Sequence, residues 1–226
     1  MPYQLGVEDI EPDHLVAWVL DLPGCYSSAP TVEEAVARAP ACILAYFAWR
    51  AEHGDLAASP PGEGGLEVAD VFHSWIGEGD YAVNAFFADD RGPLSRPEVE
   101  DALQLLDYSR RDLLAMLGQA PPERLRQPIA GEVQGSIAGI LSHIAGAELW
   151  YLCSLDPTAE PGGTPEDPIE RLGWVRTETR LRLPRLVGDS RVVNRVGERW
   201  SARKILRRTL WHERDHTEQI GRLLVR

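Results

Sequence analysis

The 226-residue chain has a single lysine, Lys204, among its 23 basic residues, and no apolar run that approaches the roughly 18 residues of a membrane span. The lysine shortage reads as coding bias, since nothing in folding physics requires it. The opening residues, MPYQLGVEDIEPDH, have neither the basic start nor the apolar stretch of a signal peptide, so a cytoplasmic protein with no membrane partner is expected. Cysteine is scarce as well. Cys25, Cys42 and Cys153 are odd in number and lack a CxxC spacing, which argues against a disulfide framework and against a cysteine-based zinc site, and leaves them as small buried hydrophobes. Basic charge is nearly missing from the first half: residues 1–100 carry 4 basic and 18 acidic residues, whereas 101–226 carry 19 and 17. Such a half repels phosphate backbones, so no nucleic-acid partner is expected. The densest basic group, Arg203-Lys204 with Arg207-Arg208, reads as a solvated helix face.

What is present suffices for a packed protein, with 44% hydrophobic and 26% charged residues. The length exceeds the roughly 100–150 residues of a typical domain, and the charge asymmetry favours two, 1–93 and 94–226. The expected fold class is α+β. Segments 3–10 and 14–21 are partly alternating and flank Glu11-Pro12-Asp13, a turn signal, so they predict a hairpin. A third short strand follows Leu22-Pro23-Gly24. Thr31 and Glu34 then form a capping box that opens a helix to about His53-Gly54, kinked at Pro40. Residues 58–65 are a Pro/Gly linker, and 66–76 and 81–87 read as further strands, giving the order β-β-β-α-β. The stretch DLPGCYSSAPTVEEAV, Asp21 to Val36, resembles the signature of HicB-like domains over about the first 75 residues. That resemblance implies a small protein-binding or structural module.

The second half predicts four helices and no strands. Ser95 to Glu98 is a capping box, followed by an apolar stripe of Leu103, Leu106, Leu113, Leu114 and Leu117 that stops at Gly118. Ser136 to about Asp156 carries Ile137, Ile140, Leu141, Ile144, Tyr151 and Leu155 on one face. Asp167-Pro168 opens a third helix that ends or bends at Pro184, and Ser201 opens the last, with Trp200 stapled onto Ile205. Four helices joined by loops imply an up-down bundle, whose sites are built from inward side chains on facing helices. Ala138, Ser142, Ala145 and Gly146 lie opposite the apolar face of the second helix, where a second copy of the chain could approach as a homodimer.

The histidines carry the chemistry. His212 and His216 are four residues apart, about 40° around a helix, a spacing at which both can ligate one ion. Ile205, Thr209, Ile220 and Leu223 share their side, so the pair points inward. His143 lies at the edge of the second helix's apolar face, and three imidazoles can converge there. Each could instead be separately hydrogen-bonded, but buried neutral imidazoles need partners and one metal satisfies all three. His14, His53 and His73 lack ligand spacing. His212 to His216 also matches H-E-x-x-H, in which Glu213 would be the general base of a zinc peptidase, although only ten residues follow. Glu148 and Glu213 occupy inward positions, as groups that orient histidines or accept a proton, or as carboxylates buried against arginine.

GSIAGILSHIAGAELWYL and, further on, WSARKILRRTLWHERDHTEQI resemble the DinB/YfiT-like superfamily of four-helix metalloproteins over about residues 95–226, with His143, His212 and His216 at the family's ligand positions. The resemblance implies zinc or nickel and a small-molecule substrate. Family members with known activity include thiol transferases that use low-molecular-weight thiols such as bacillithiol or mycothiol. The expectation is a metal-dependent hydrolase or thiol transferase. The alternative is a non-catalytic protein in which metal stabilises the second domain and the HicB-like domain binds a protein.

Overall fold

Strands β1 (Tyr3–Glu11) and β2 (His14–Val19) pair antiparallel in the computed structural model, which describes residues 2–11, 14–55, 65–77, 79, 81–159 and 161–225. β3 (Tyr26–Ala29) pairs with β2, and β4 (Leu66–His73) lies parallel to β1, so the sheet order is β3-β2-β1-β4. Val16 to Val19 are all buried, a pattern of strands covered on both faces, which explains why their alternation is only partial. α1 (Val32–Glu52) packs on β2 and β3 through small residues, with Ala17, Ala29 and Ala35 around Val7. Thr31 caps it by accepting from the Glu34 amide. The helix is continuous through Pro40, the position at which the sequence predicts a kink, and Pro40 itself is exposed. The Pro12-Asp13 turn and residues 58–64 of the linker lie outside the described residues.

The chain divides into two compact units, Met1–Gly92 with Ser190–Arg207, and Pro93–Asp189 with Arg208–Arg226. Residues 190–207, which the charge pattern assigns to the second half, thus cluster with the first. They contain β7 (Val193–Arg195) and β8 (Glu198–Trp200), an antiparallel pair where no strand is expected. The cause is local. The turn places Val196 at φ 54 and Gly197 at φ 80, a left-handed pair that a β-branched residue in the first position disguises.

Residues 81–87 read as one strand in the sequence, but only β6 (Ala82–Val83) forms, against β5 (Trp75–Ile76). Beyond it, side chains take the amides that a neighbouring strand would have taken: Ala85 N donates to Glu8 Oε1 at 2.7 Å and Phe87 N to Asp90 Oδ2 at 2.9 Å. The Phe87 ring lies against β1 at Gly6, where any Cβ would come within 2.8 Å of it. Nor is the basic group on the last helix a solvated face. Lys204, Arg207 and Arg208 are all buried. Arg207 grips both oxygens of Asp90 at 3.1 and 2.7 Å between the rings of Trp18 and Phe87, and Lys204 Nζ pairs with Glu198 at 2.5 Å and donates to the Asn84 carbonyl.

In the second unit, Ser95 and Glu98 make a reciprocal capping box at the start of α2 (Arg96–Leu117). A short α3 (Pro122–Arg126) interrupts a stretch whose prolines suggest loop. Ser136 caps α4 (Ile137–Leu152), Asp167 caps α5 (Pro168–Arg182), and a single 3-10 turn holding Pro184 follows α5. α6 (Ala202–Leu224), whose residues up to Arg207 belong to the first unit, opens with Ser201 accepting from the Lys204 amide. One core joins Leu113 and Leu117 of α2, Ile137 to Leu149 of α4, Leu172 and Val175 of α5, and Ile220 of α6. Leu114 is 43% exposed and leaves the expected stripe, whereas Ala145 is buried in that core and therefore does not lie on an outward small-residue face. None of the three cysteines is in a disulfide, and Cys42 is only half-buried. The class is mixed α+β, and among the described residues no helix is long and apolar enough to cross a membrane.

Candidate metal centre

His212 and His216 lie one turn apart on α6, and His143 reaches them from α4. His212 Nε2 is 3.1 Å from His143 Nε2 and 3.2 Å from His216 Nε2, and one ligand atom from each residue falls within 4.8 Å of the other two. Bonds of about 2.0–2.1 Å at tetrahedral angles would set ligand nitrogens about 3.3 Å apart, so the spacing suits one divalent ion. The donor set fits as well. Three neutral imidazoles that aim ring nitrogens at one point bring lone pairs together, an arrangement a cation relieves and a lone proton relieves only in part. The group can hold a metal ion.

Two of these rings, His143 and His212, are biased toward the neutral form. Burial pushes His212 well below the ordinary histidine range, reinforced by His216, His143 and Arg208. His143 is lowered by burial and by His216, and the nearby Glu132 carboxylate opposes the shift. Neutral imidazole is the form that binds metal.

Glu148 and Glu213 are buried, as their helix positions predict, and both are paired with arginine. Arg110 Nη2 contacts Glu148 Oε2 at 3.0 Å and Glu213 Oε2 at 2.5 Å. Arg176 binds Glu148 through Nε at 2.9 Å and Glu213 through Nη2 at 2.8 Å, while Thr179 donates to Glu148 Oε1 at 2.7 Å. Each guanidinium also donates to a backbone carbonyl, Arg110 to Leu172 and Arg176 to Leu106. Two carboxylates and two guanidinia cancel in charge, which is how four ionic groups can be buried together. Burial alone would raise the Glu148 carboxyl, but Arg176, Arg110 and the hydrogen bonds from Arg176 and Thr179 outweigh it and hold it below its ordinary range. A carboxylate held this way is a weak proton acceptor. Neither carboxylate hydrogen-bonds a histidine among the described residues. Ile144, Glu148, Tyr151, Thr209, His212 and Glu213 border a narrow gap, and Glu213 Oε1 is buried without a hydrogen-bond partner among the described residues.

Sequence reasoning missed Arg110 and Arg176, though a signal existed. Arg110 continues the spacing of Leu106 and Leu113, and Arg176 falls between Leu172 and Thr179, so both are charges at core positions. His73 lies elsewhere, 2.7 Å from Asp9 through Nδ1, and His53 stacks edge-on to Trp49. No protein-family model matches the chain, and neither the curated proteins nor the solved structures yield a match.

Proposed function

We propose that the chain is a metal-dependent enzyme of the DinB/YfiT-like superfamily, its second unit a four-helix bundle and its first a HicB-like module, acting on a small molecule as a hydrolase or thiol transferase. The observation that carries this reading is the convergence of three imidazoles from two helices, His212 Nε2 lying 3.1 and 3.2 Å from the nitrogens of His143 and His216, with two of the rings biased toward the neutral form. Zinc or nickel held by three protein ligands would keep a coordination position for water or a low-molecular-weight thiol, and would lower the pKa of that group toward neutrality. The chain's own part is to fix the ligands on two packed helices and to keep His212 out of water. Glu148 and Glu213 serve better as a rigid, charge-balanced floor than as bases, since arginine holds both.

The test is elemental analysis after dialysis at neutral pH. One equivalent of metal per chain is expected in wild type and in His73→Ala, and a small fraction of that in His143→Ala, His212→Ala and His216→Ala. Equal content in all five proteins would end this reading. A second reading, a non-catalytic protein stabilised by metal, is favoured by the arginine-bound state of both inward carboxylates. It predicts that chelation lowers the melting temperature and that no hydrolase or thiol-transfer turnover accompanies reloading with zinc or nickel.

A further inference from the structure

Beside the three histidines lies a second set of groups that sequence reasoning did not single out. Gln219, one turn beyond His216 on α6, brings Oε1 to 2.6 Å from His216 Nδ1, and its Nε2 donates to Glu132 Oε2 at 2.9 Å. Glu132 belongs to the loop between α3 and α4, and that loop is tied down at several points. The Glu132 amide donates to the Ile129 carbonyl, the Gly135 amide donates back to the Glu132 carbonyl, and the Ile129 amide donates to the Gly135 carbonyl. Gly131 and Gly135 take φ values of 80° and 75°. Ile129 packs against the core, and the Gln134 carbonyl lies so close to Gly139 of α4 that a Cβ there would come within 1.9 Å of it. Glu132 Oε1 accepts from the Gln134 amide, which fixes the carboxylate relative to its own loop.

We infer that Glu132 and Gln219 are positioning residues that set the tautomer and ring orientation of His216 for metal binding. The inference rests on the reading that the three histidines hold a metal. An ionised carboxylate only accepts hydrogen bonds, so the amide NH2 of Gln219 faces Glu132 and its carbonyl oxygen faces His216. That oxygen in turn requires a hydrogen on Nδ1. In a neutral ring the lone pair is then on Nε2, the atom 3.2 Å from His212 Nε2. The polarity runs one way from the loop to the ligand, and reversing the Gln219 amide would place its oxygen against the carboxylate. Partners of this kind tune ligand basicity and geometry at metal sites.

The experiment compares wild type with Glu132→Gln, Gln219→Leu and the double swap Glu132→Gln with Gln219→Glu, reading zinc affinity by chelator competition and the visible spectrum of the cobalt-substituted site. Each single variant should weaken zinc binding by about 10–100-fold and alter the cobalt bands. The swap restores the polarity, because the amide then at position 132 can donate to the carboxylate then at position 219, which still accepts from Nδ1. It should recover most of the affinity and the wild-type spectrum, which a merely structural contact would not do. Unchanged affinity and spectrum in both single variants, with His216→Ala unable to bind, would overturn the inference and leave the metal reading standing. Wild-type zinc affinity in His216→Ala would sink both. Should a variant fail to fold, nitrogen-15 NMR of metal-free wild type decides: Nδ1 of His216 must carry the hydrogen, and an Nε2–H tautomer would overturn the proposal.

Discussion

His143 and His212 stand 69 residues apart in the chain, yet their Nε2 atoms are 3.1 Å apart, and the two rings are the ones that burial pushes toward neutrality. This pairing makes the acid limb of stability a direct readout of the centre. An unfolded chain offers histidines of about pKa 6.5, so it binds more protons than the folded one below that value. In metal-free protein, stability should therefore be full above about pH 6.5 and decline as pH falls from there toward the depressed folded values. Urea midpoints at about pH 8, 7, 6 and 5 should show that decline, and His212→Gln should flatten it. A midpoint that holds steady or rises as pH falls across the ordinary histidine range would count against buried neutral rings.

Arg176 touches both Glu148 and Glu213, so its loss leaves two buried carboxylates to share the single charge of Arg110. Arg176→Met is expected to cost about 3–5 kcal/mol in denaturant unfolding, the range for breaking a buried ion pair from one side. Thr179→Val removes one hydrogen bond to the same carboxylate and should cost about 1.5–3 kcal/mol. A loss under about 1 kcal/mol for Arg176→Met would mean water reaches the network.

Two glycines on α4 should respond with opposite signs. Gly146 faces open space, so Gly146→Ala should stabilise by about 0.5–1 kcal/mol through helix propensity alone. Gly139→Ala gains the same propensity but drives a methyl into the Gln134 carbonyl, and a lower melting temperature is expected. Two shifts of the same sign would place the Gln134 backbone elsewhere.

Val196 holds φ 54, a conformation that costs an L-residue with a branched side chain about 1–2 kcal/mol, and it is 45% exposed. Val196→Asn should raise stability by about 1 kcal/mol at little loss of burial. A neutral or destabilising result, read by thermal unfolding, would show that the valine side chain makes up the difference through packing.

Features written locally were legible in the sequence. Thr31, Ser95 and Asp167 cap their helices because the backbone amides that donate to each cap side chain lie two or three positions away. The histidine pair was legible for the same reason, and His143 followed from its place on an apolar face. Partners far along the chain were not. Nothing near Glu148 announces Arg110 and Arg176, and nothing near His216 announces Glu132, which lies far upstream and is joined through Gln219. The β7–β8 hairpin was hidden because valine stands where glycine or asparagine would have marked the turn. Charge pattern misled at Lys204 and Arg207, since a basic helix turn looks alike whether it faces water or buried carboxylates.

The burial of Lys204 has a practical consequence. It is the chain's one lysine, and none of its side chain reaches solvent, so the folded protein offers no lysine amine to an acylating reagent. Reagent can reach Nζ only when the contacts with Glu198 and Asn84 open. Acylation at this single position, followed by mass spectrometry against time, would therefore act as a built-in clock for the opening of the first unit's interior, separate from anything bound at the histidines.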